Sequence, residues 1–207
     1  MGNKQMKFKN YISLLSILTL AVFSITMLVS IPNAVGVENS CISYNTKEHE
    51  ISISCKYANF IDIENELQNQ NLLYRESNPT NFNQKNWVLN TGIRVEKDAT
   101  LNIDSDDVTW LKIVPSLDSP NAIKVDGSLK VDNVKITSWN QETKDYVKFS
   151  EETKYNDKKY VEEIRPYIKV NSGATGPTII QNSELAYLGY SCNGCGGVTF
   201  NGGENNI

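Results

Sequence analysis

Histidine occurs once in 207 residues, at His49, and that scarcity disfavours any catalytic or metal site built from several imidazoles. Basic residues are also short. Three lysines (Lys4, Lys7, Lys9) and no acid precede residue 37, so residues 37–207 hold 17 of the 20 Lys and Arg against all 24 acids, a net charge of −7. Nucleic-acid recognition needs clustered Lys and Arg to displace phosphate counterions, and this balance argues against it. Cysteine is limited to four, and the length leaves room for one main domain. With 40% hydrophobic and 21% charged residues, the composition is that of a globular chain, neither disordered nor collagen-like.

What is present begins with an uncharged stretch, residues 10–37. Within it residues 11–31 read YISLLSILTLAVFSITMLVSI, and about 20 helical residues cover the roughly 30 Å hydrocarbon core. Lysines in front and the small-residue exit Ala34-Val35-Gly36 fit a secretory signal cut after Gly36. The length of the run equally fits a retained anchor with its lysines inside, touching the membrane through residues 11–31. Residues 1–36 are therefore expected to be a signal peptide or anchor, and the remainder to be extracytoplasmic, in an oxidising setting.

There the cysteines read as disulfide candidates. Cys41 and Cys55 flank CISYNTKEHEISISC, in which Ile51, Ile53 and Cys55 alternate as on a strand. A hairpin turning through residues 46–49 sets the two sulfurs against each other. Cys192 and Cys195 form a C-x-x-C inside SCNGCGG. A zinc site needs two further ligands and none is near; a redox motif expects a strand leading into a helix, whereas this one sits among glycines. A local loop disulfide or two inert thiols is the expectation.

Residues 59–74, NFIDIENELQNQNLLY, carry Ile63, Leu67 and Leu72/Leu73 near helical spacing, with acids toward the start, and predict the chain's one helix. A polar loop with Pro79 follows, so residues 37–90 read as a hairpin and capping helix. After Trp87 the chain is strand-like and repeats itself. Gly-Ile-Arg-Val-Glu (92–96), Ala-Ile-Lys-Val-Asp (122–126) and Tyr-Ile-Lys-Val-Asn (167–171) share one pattern, each followed by a second short apolar run. Those runs are Leu101/Ile103, Leu129/Val131 with Val134/Ile136, and Ile179/Ile180; residues 110–114 form a further strand. An inward residue at every second position, with Asn, Asp and Gly at the corners, suits stacked coils. Asn102, Asn133, Asn182 and Asn205/Asn206 are expected at those corners, in left-handed backbone. Spacings of 30 and 45 residues look longer than one coil, which predicts extra strands in the first interval and a charged loop over 141–163 in the second. The resulting expectation is a mainly β chain, a right-handed parallel β-helix over residues 91–207. Its competitor is a β-sandwich, which needs two-residue hairpin turns; Asp126-Gly127 is the candidate.

Several blocks carry a family resemblance. Trp-Leu-Lys-Ile (110–113), Val-Asp-Gly-x-Leu-x-Val-Asp (125–132), Val-Lys-Ile-Thr-Ser-Trp (134–139), Arg-Pro-Tyr-Ile (165–168), Asn-Ser-Glu-Leu-Ala-Tyr-Leu-Gly-Tyr (182–190) and Gly-Val-Thr-Phe-x-Gly-Gly (197–203) resemble the N-terminal coils of the mannuronan 5-epimerase and pectate-lyase-like group. The resemblance spans roughly residues 41–207 and implies a groove along a β-helix that holds an alginate-type polyuronate. In that family the base and acid that invert the carbon beside the uronate carboxylate centre on an Asp-Pro-His motif. This chain has no Asp-Pro dipeptide, and His49 precedes the repeats, so no catalytic residue carries over. Asn205-Asn206-Ile207 reads as the beginning of another strand, which leads to the expectation of a truncated reading frame or of a protein partner completing the open end.

The expected function is polysaccharide binding, with a structural cell-envelope role or an epimerase completed by a missing part as alternatives. Candidate ligand residues are Glu184, Tyr187 and Tyr190, spaced by three, and Arg165, whose guanidinium suits a carboxylate. The same residues also fit a packed role, with Arg165 pairing to Glu162 or Glu163. Trp110 and Trp139 read as core or coil-face residues in preference to sugar platforms. Asp104, Asp106 and Asp107 have oxygen ligands for Ca²⁺ but lack the glycine repeat of calcium-binding rolls, and read as a solvated turn. No metal, cofactor or catalytic residue is assigned.

Overall fold

A computed structural model describes residues 40–77, 85–116, 120–147, 164–190 and 194–201. The predicted leader at 1–36, Cys192, Asn205/Asn206, Glu162/Glu163 and most of the 141–163 loop lie outside the described residues. No helix among the described residues is long and apolar enough to cross a membrane.

The chain opens with a hairpin, β1 (Ile42–Asn45) and β2 (Glu50–Ile53), paired antiparallel. Its turn is built by Asn45, whose Oδ1 accepts from the Lys47 and Glu48 amides at 3.0 and 3.2 Å, and by His49 in left-handed backbone at φ 52°. Cys41 and Cys55 are disulfide-bonded across the open end, with Cα atoms 4.9 Å apart. Closing a loop of this size contributes about 3 kcal/mol by the chain-entropy account.

Helix α1 (Phe60–Leu67) begins at a reciprocal cap: Asn59 Oδ1 accepts from the Asp62 amide at 2.9 Å, and Asp62 Oδ2 from the Asn59 amide at 3.0 Å. The expected helix over 59–74 is too long. Gln68 turns left-handed at φ 46°, and Asn69 Oδ1 takes the Asn71 amide, so the backbone leaves the helix there. Leu73–Arg75 then forms β3, antiparallel to β4 (Asn86–Leu89).

From there the strands fall in turn into three sheets. They are β5 (Gly92–Val95), β6 (Thr100–Asp104), β7 (Trp110–Ile113), β8 (Ala122–Val125), β9 (Ser128–Asp132), β10 (Lys135–Ser138), β11 (Tyr167–Val170), β12 (Thr178–Gln181), β13 (Glu184–Ala186) and β14 (Val198–Phe200). The first sheet orders β1-β2-β5-β8-β11-β14, the second β13-β10-β7-β4-β3, the third β12-β9-β6. Among the described strands, every pair except β1–β2 and β3–β4 is parallel.

The three Ile-basic-Val segments are direct neighbours in register: Ile93 faces Ile123, which faces Ile168. The 30-residue interval holds the two further strands β6 and β7, one in each of the other sheets. Asp126-Gly127 is no hairpin turn; it is the corner between β8 and β9, two strands that belong to different sheets. Glycine is required there, because a Cβ would lie 2.2 Å from the Glu96 carbonyl oxygen. Asn133 and Asn182 are left-handed at φ 55° and 51°, each just before a strand of the second sheet, but Asn102 lies inside β6. One side of every sheet faces the core: Ile51, Ile93, Ile123 and Ile168 from the first, Trp87, Leu111 and Ile136 from the second, Leu101 and Leu129 from the third, all fully buried. Phe60 of α1 closes one end, edge-on to Trp87 at 5.5 Å.

The outward column of the first sheet explains the basic residue of the repeat. Arg94, Lys124 and Lys169 stack in register, and their repulsion is met from within. Buried Glu50 pairs with Arg94 Nε at 2.5 Å and Lys124 Nζ at 2.9 Å, and Asp126 pairs with Arg94 Nη1 at 2.8 Å.

Candidate functional site

The second sheet carries a different outer face. Period two places Leu111 and Ile113 of β7 inward, which turns Trp110 and Lys112 outward. Register then stacks Trp110 on Lys135 and Lys135 on Glu184 along one column, and Lys112 on Thr137 and Thr137 on Ala186 along the next. After β10 the chain leaves the stack: Trp139 folds back edge-on to Trp110 at 5.3 Å, and the Asn140–Asp145 turn brings Tyr146 to 5.9 Å from Trp110. Tyr187, left-handed at φ 58° just after β13, stacks flat on Tyr146 at 4.5 Å.

Two lysines are set among these rings. Lys112 Nζ lies 4.2 Å from the Trp110 ring centre and 3.7 Å from that of Trp139, with Glu76 Oε2 at 2.6 Å. Lys135 Nζ lies 5.2 Å from Trp110 and 5.1 Å from Tyr146, with Glu184 Oε1 at 3.0 Å. The Tyr146 hydroxyl, and then Glu184, hold the Lys135 ammonium above its ordinary pKa, so it stays cationic through neutral pH.

Beside this cluster opens a cavity of about 580 Å³, lined by Tyr74, Glu76, Asn86, Lys112, Trp139 and Lys144 among others. Its volume is within the range of small-molecule sites. Gln141 fixes the turn across it, donating Nε2 to Tyr74 Oη at 3.2 Å and to Asn90 Oδ1 at 3.1 Å. Lys144 on that turn is in no ion pair among the described residues. Asn86, 7% exposed, has a buried Oδ1 without a hydrogen-bond partner. Ring faces and fixed ammonium groups together suit a ring with apolar faces and anionic substituents.

The four predicted ligand residues fall into two separate sets of contacts. Glu184 and Tyr187 belong to the cluster just described. Arg165, 9% exposed, donates Nε to the Gly189 carbonyl at 2.8 Å, and Tyr190 is half-buried, its ring 6.1 Å from that of Tyr167 and its amide donating to the Cys195 carbonyl. Cys195 is disulfide-bonded. Trp110 and Trp139, expected in the core or on a coil face, are half-buried on the outer face; Lys112, Lys135, Glu76 and Tyr146 were not among the expected ligand residues, and strand alternation around Leu111 and Ile113 is the signal that points to Lys112. His49 is exposed in its turn, with Nδ1 3.4 Å from Tyr44 Oη. The aspartate group is split: Asp104 accepts from the Asp106 amide, while Asp107 is buried and accepts from the Phe60 amide at 2.8 Å. No group of three or more His, Cys, Asp or Glu among the described residues is placed to hold a metal ion.

The chain matches no known family profile and no curated protein. Among solved structures it is similar to the periplasmic alginate epimerase AlgG, with a TM-score of 0.57 and 19% identity over 72% of this chain and 30% of that one. Two single-residue variants of the same enzyme give TM-scores of 0.58 and 0.56 at the same identity and coverage. The chain thus spans under a third of that enzyme's length, and the likeness is one of fold.

Proposed function

We propose that this chain is an exported or membrane-anchored right-handed parallel β-helix that binds an acidic polysaccharide, of the polyuronate class, along the outer face of its second sheet. The observation that carries the reading is the placement of Lys112 and Lys135 among Trp110, Trp139 and Tyr146, beside the 580 Å³ cavity. Sugar rings lie on the aromatic faces and uronate carboxylates meet the ammonium groups. The likeness in fold to an alginate epimerase and the Cys41–Cys55 disulfide support the same setting, an extracytoplasmic one where such polymers occur. The role is one of binding: the residues lining the face are held by one another as ion pairs and ring contacts, which suits a recognition surface.

Calorimetric titration of the full-length chain with alginate and pectate oligosaccharides, at low salt, tests this. Binding is expected to polyuronates and not to neutral glucans, and to weaken about tenfold in Trp139→Ala or Lys135→Ala. Absence of heat with every polyuronate, or equal affinity for neutral glucans, overturns it.

A further inference from the structure

In the cavity beside the aromatic face, one ion pair is unequal. Lys112 is fixed: it stands on β7 in the middle of the sheet, its side chain is 6% exposed, and two indole rings flank its ammonium at 3.7 and 4.2 Å. Glu76 is not. It follows the edge strand β3, its side chain is 29% exposed on the cavity wall, and its described ties are its own amide to the Asn86 carbonyl and its carboxylate to Lys112. A carboxylate thus reaches from the rim to a preset cation in a cavity that also presents Lys144 and Trp139.

We propose that Glu76 holds the place of a ligand carboxylate: the cavity is a uronate subsite whose anion-binding group is Lys112, and Glu76 sets its affinity by having to give way. The inference rests on the polyuronate reading above and adds the group that recognises the carboxylate and the residue that competes with it. When a uronate enters, its carboxylate takes the 2.6 Å position on Lys112 Nζ, Glu76 swings to solvent, and Lys144 on the turn balances the charge. A neutral sugar has nothing to offer Lys112 and does not displace Glu76, so the pair works as a filter for acidic residues as well as a lock.

The test is titration of the full-length wild type, Glu76→Gln and Glu76→Gln/Lys112→Met with a mannuronate tetrasaccharide and a neutral glucose tetrasaccharide. Gln keeps an acceptor for Lys112 Nζ while removing the competing charge. Glu76→Gln is expected to bind the acidic tetrasaccharide about tenfold tighter, the order of magnitude for deleting one like charge from a partly exposed site, and the double variant is expected to lose that gain. Binding to Glu76→Gln alone, with the wild type silent, supports the proposal equally. Binding by the wild type that is unchanged or weakened in Glu76→Gln overturns it and leaves the polyuronate reading standing. Silence of both toward every polyuronate overturns both. Should Glu76→Gln fail to fold, the Lys112 ammonium resonance of wild type labelled with ¹⁵N-lysine is the second readout: a shift on adding the acidic but not the neutral tetrasaccharide supports the exchange, and no shift with saturating ligand refutes it.

Discussion

Glu50 is the most exacting place to test how the repeat is held together. Its side chain is 3% exposed and faces two cations of the outward column, Arg94 at 2.5 Å and Lys124 at 2.9 Å. Strands in register are about 4.8 Å apart, so without Glu50 those cations stand within one strand spacing of each other. Removing one partner of a fully buried ion pair costs about 3–5 kcal/mol. Two features reduce that here. Arg94 and Lys124 side chains retain 28% and 25% exposure, and Asp126 still holds Arg94 at 2.8 Å. Glu50→Gln, which keeps an acceptor for one cation, is therefore expected to lose about 2 kcal/mol, or about 4–8 °C in Tm for a chain of this size. Urea unfolding followed by circular dichroism measures it. The companion Glu50→Gln/Lys124→Met relieves the repulsion and is expected to recover about half the loss. A loss below about 0.5 kcal/mol in the single variant, or no recovery in the double, refutes the view that this carboxylate neutralises the column.

Two further perturbations follow from the same structure. Burial, reinforced by neighbouring Asp104, holds the Asp107 carboxyl above the ordinary value of 3.8. The native state then binds its proton more tightly than the unfolded chain, so this group's contribution is fully present below that value and is lost as pH rises through the raised one. Asp107→Asn keeps an acceptor for the Phe60 amide without the buried charge; relative to wild type it is expected to gain stability as pH rises above the ordinary carboxyl value of 3.8, and a difference that is flat or falls with pH contradicts the assignment. Gly127→Ala drives a methyl into the Glu96 and Ala99 carbonyl oxygens, at 2.2 and 2.3 Å, and is expected to cost about 3 kcal/mol or more, read as loss of soluble, cooperatively melting protein.

What the sequence disclosed and what it withheld divide along a physical line. The Ile-basic-Val segments were legible because in-register neighbours in one parallel sheet repeat the same inward residues, and the Cys41–Cys55 hairpin because its whole pattern lies within 15 residues. Helix α1 was overextended because Leu72 and Leu73 continue the helical spacing, whereas the left-handed backbone at Gln68 and the side chain of Asn69 stop it. The candidate face was hidden for another reason. It joins Glu76, Lys112, Trp139 and Tyr187, which are far apart in sequence and meet only through the pairing of β4, β7, β10 and β13. Spacing within one segment, as in Glu184, Tyr187 and Tyr190, cannot report such a meeting: a left-handed residue at Tyr187 separates the first two from the third.

The pairing scheme also has a consequence for how the molecule is made. Most strands hydrogen-bond to one three strands earlier in the chain, whereas β1–β2 closes within a dozen residues and needs no template. Nearest-neighbour energetics then favour growth in one direction: the disulfide-clamped hairpin forms as soon as it emerges, and each later turn anneals to a finished one.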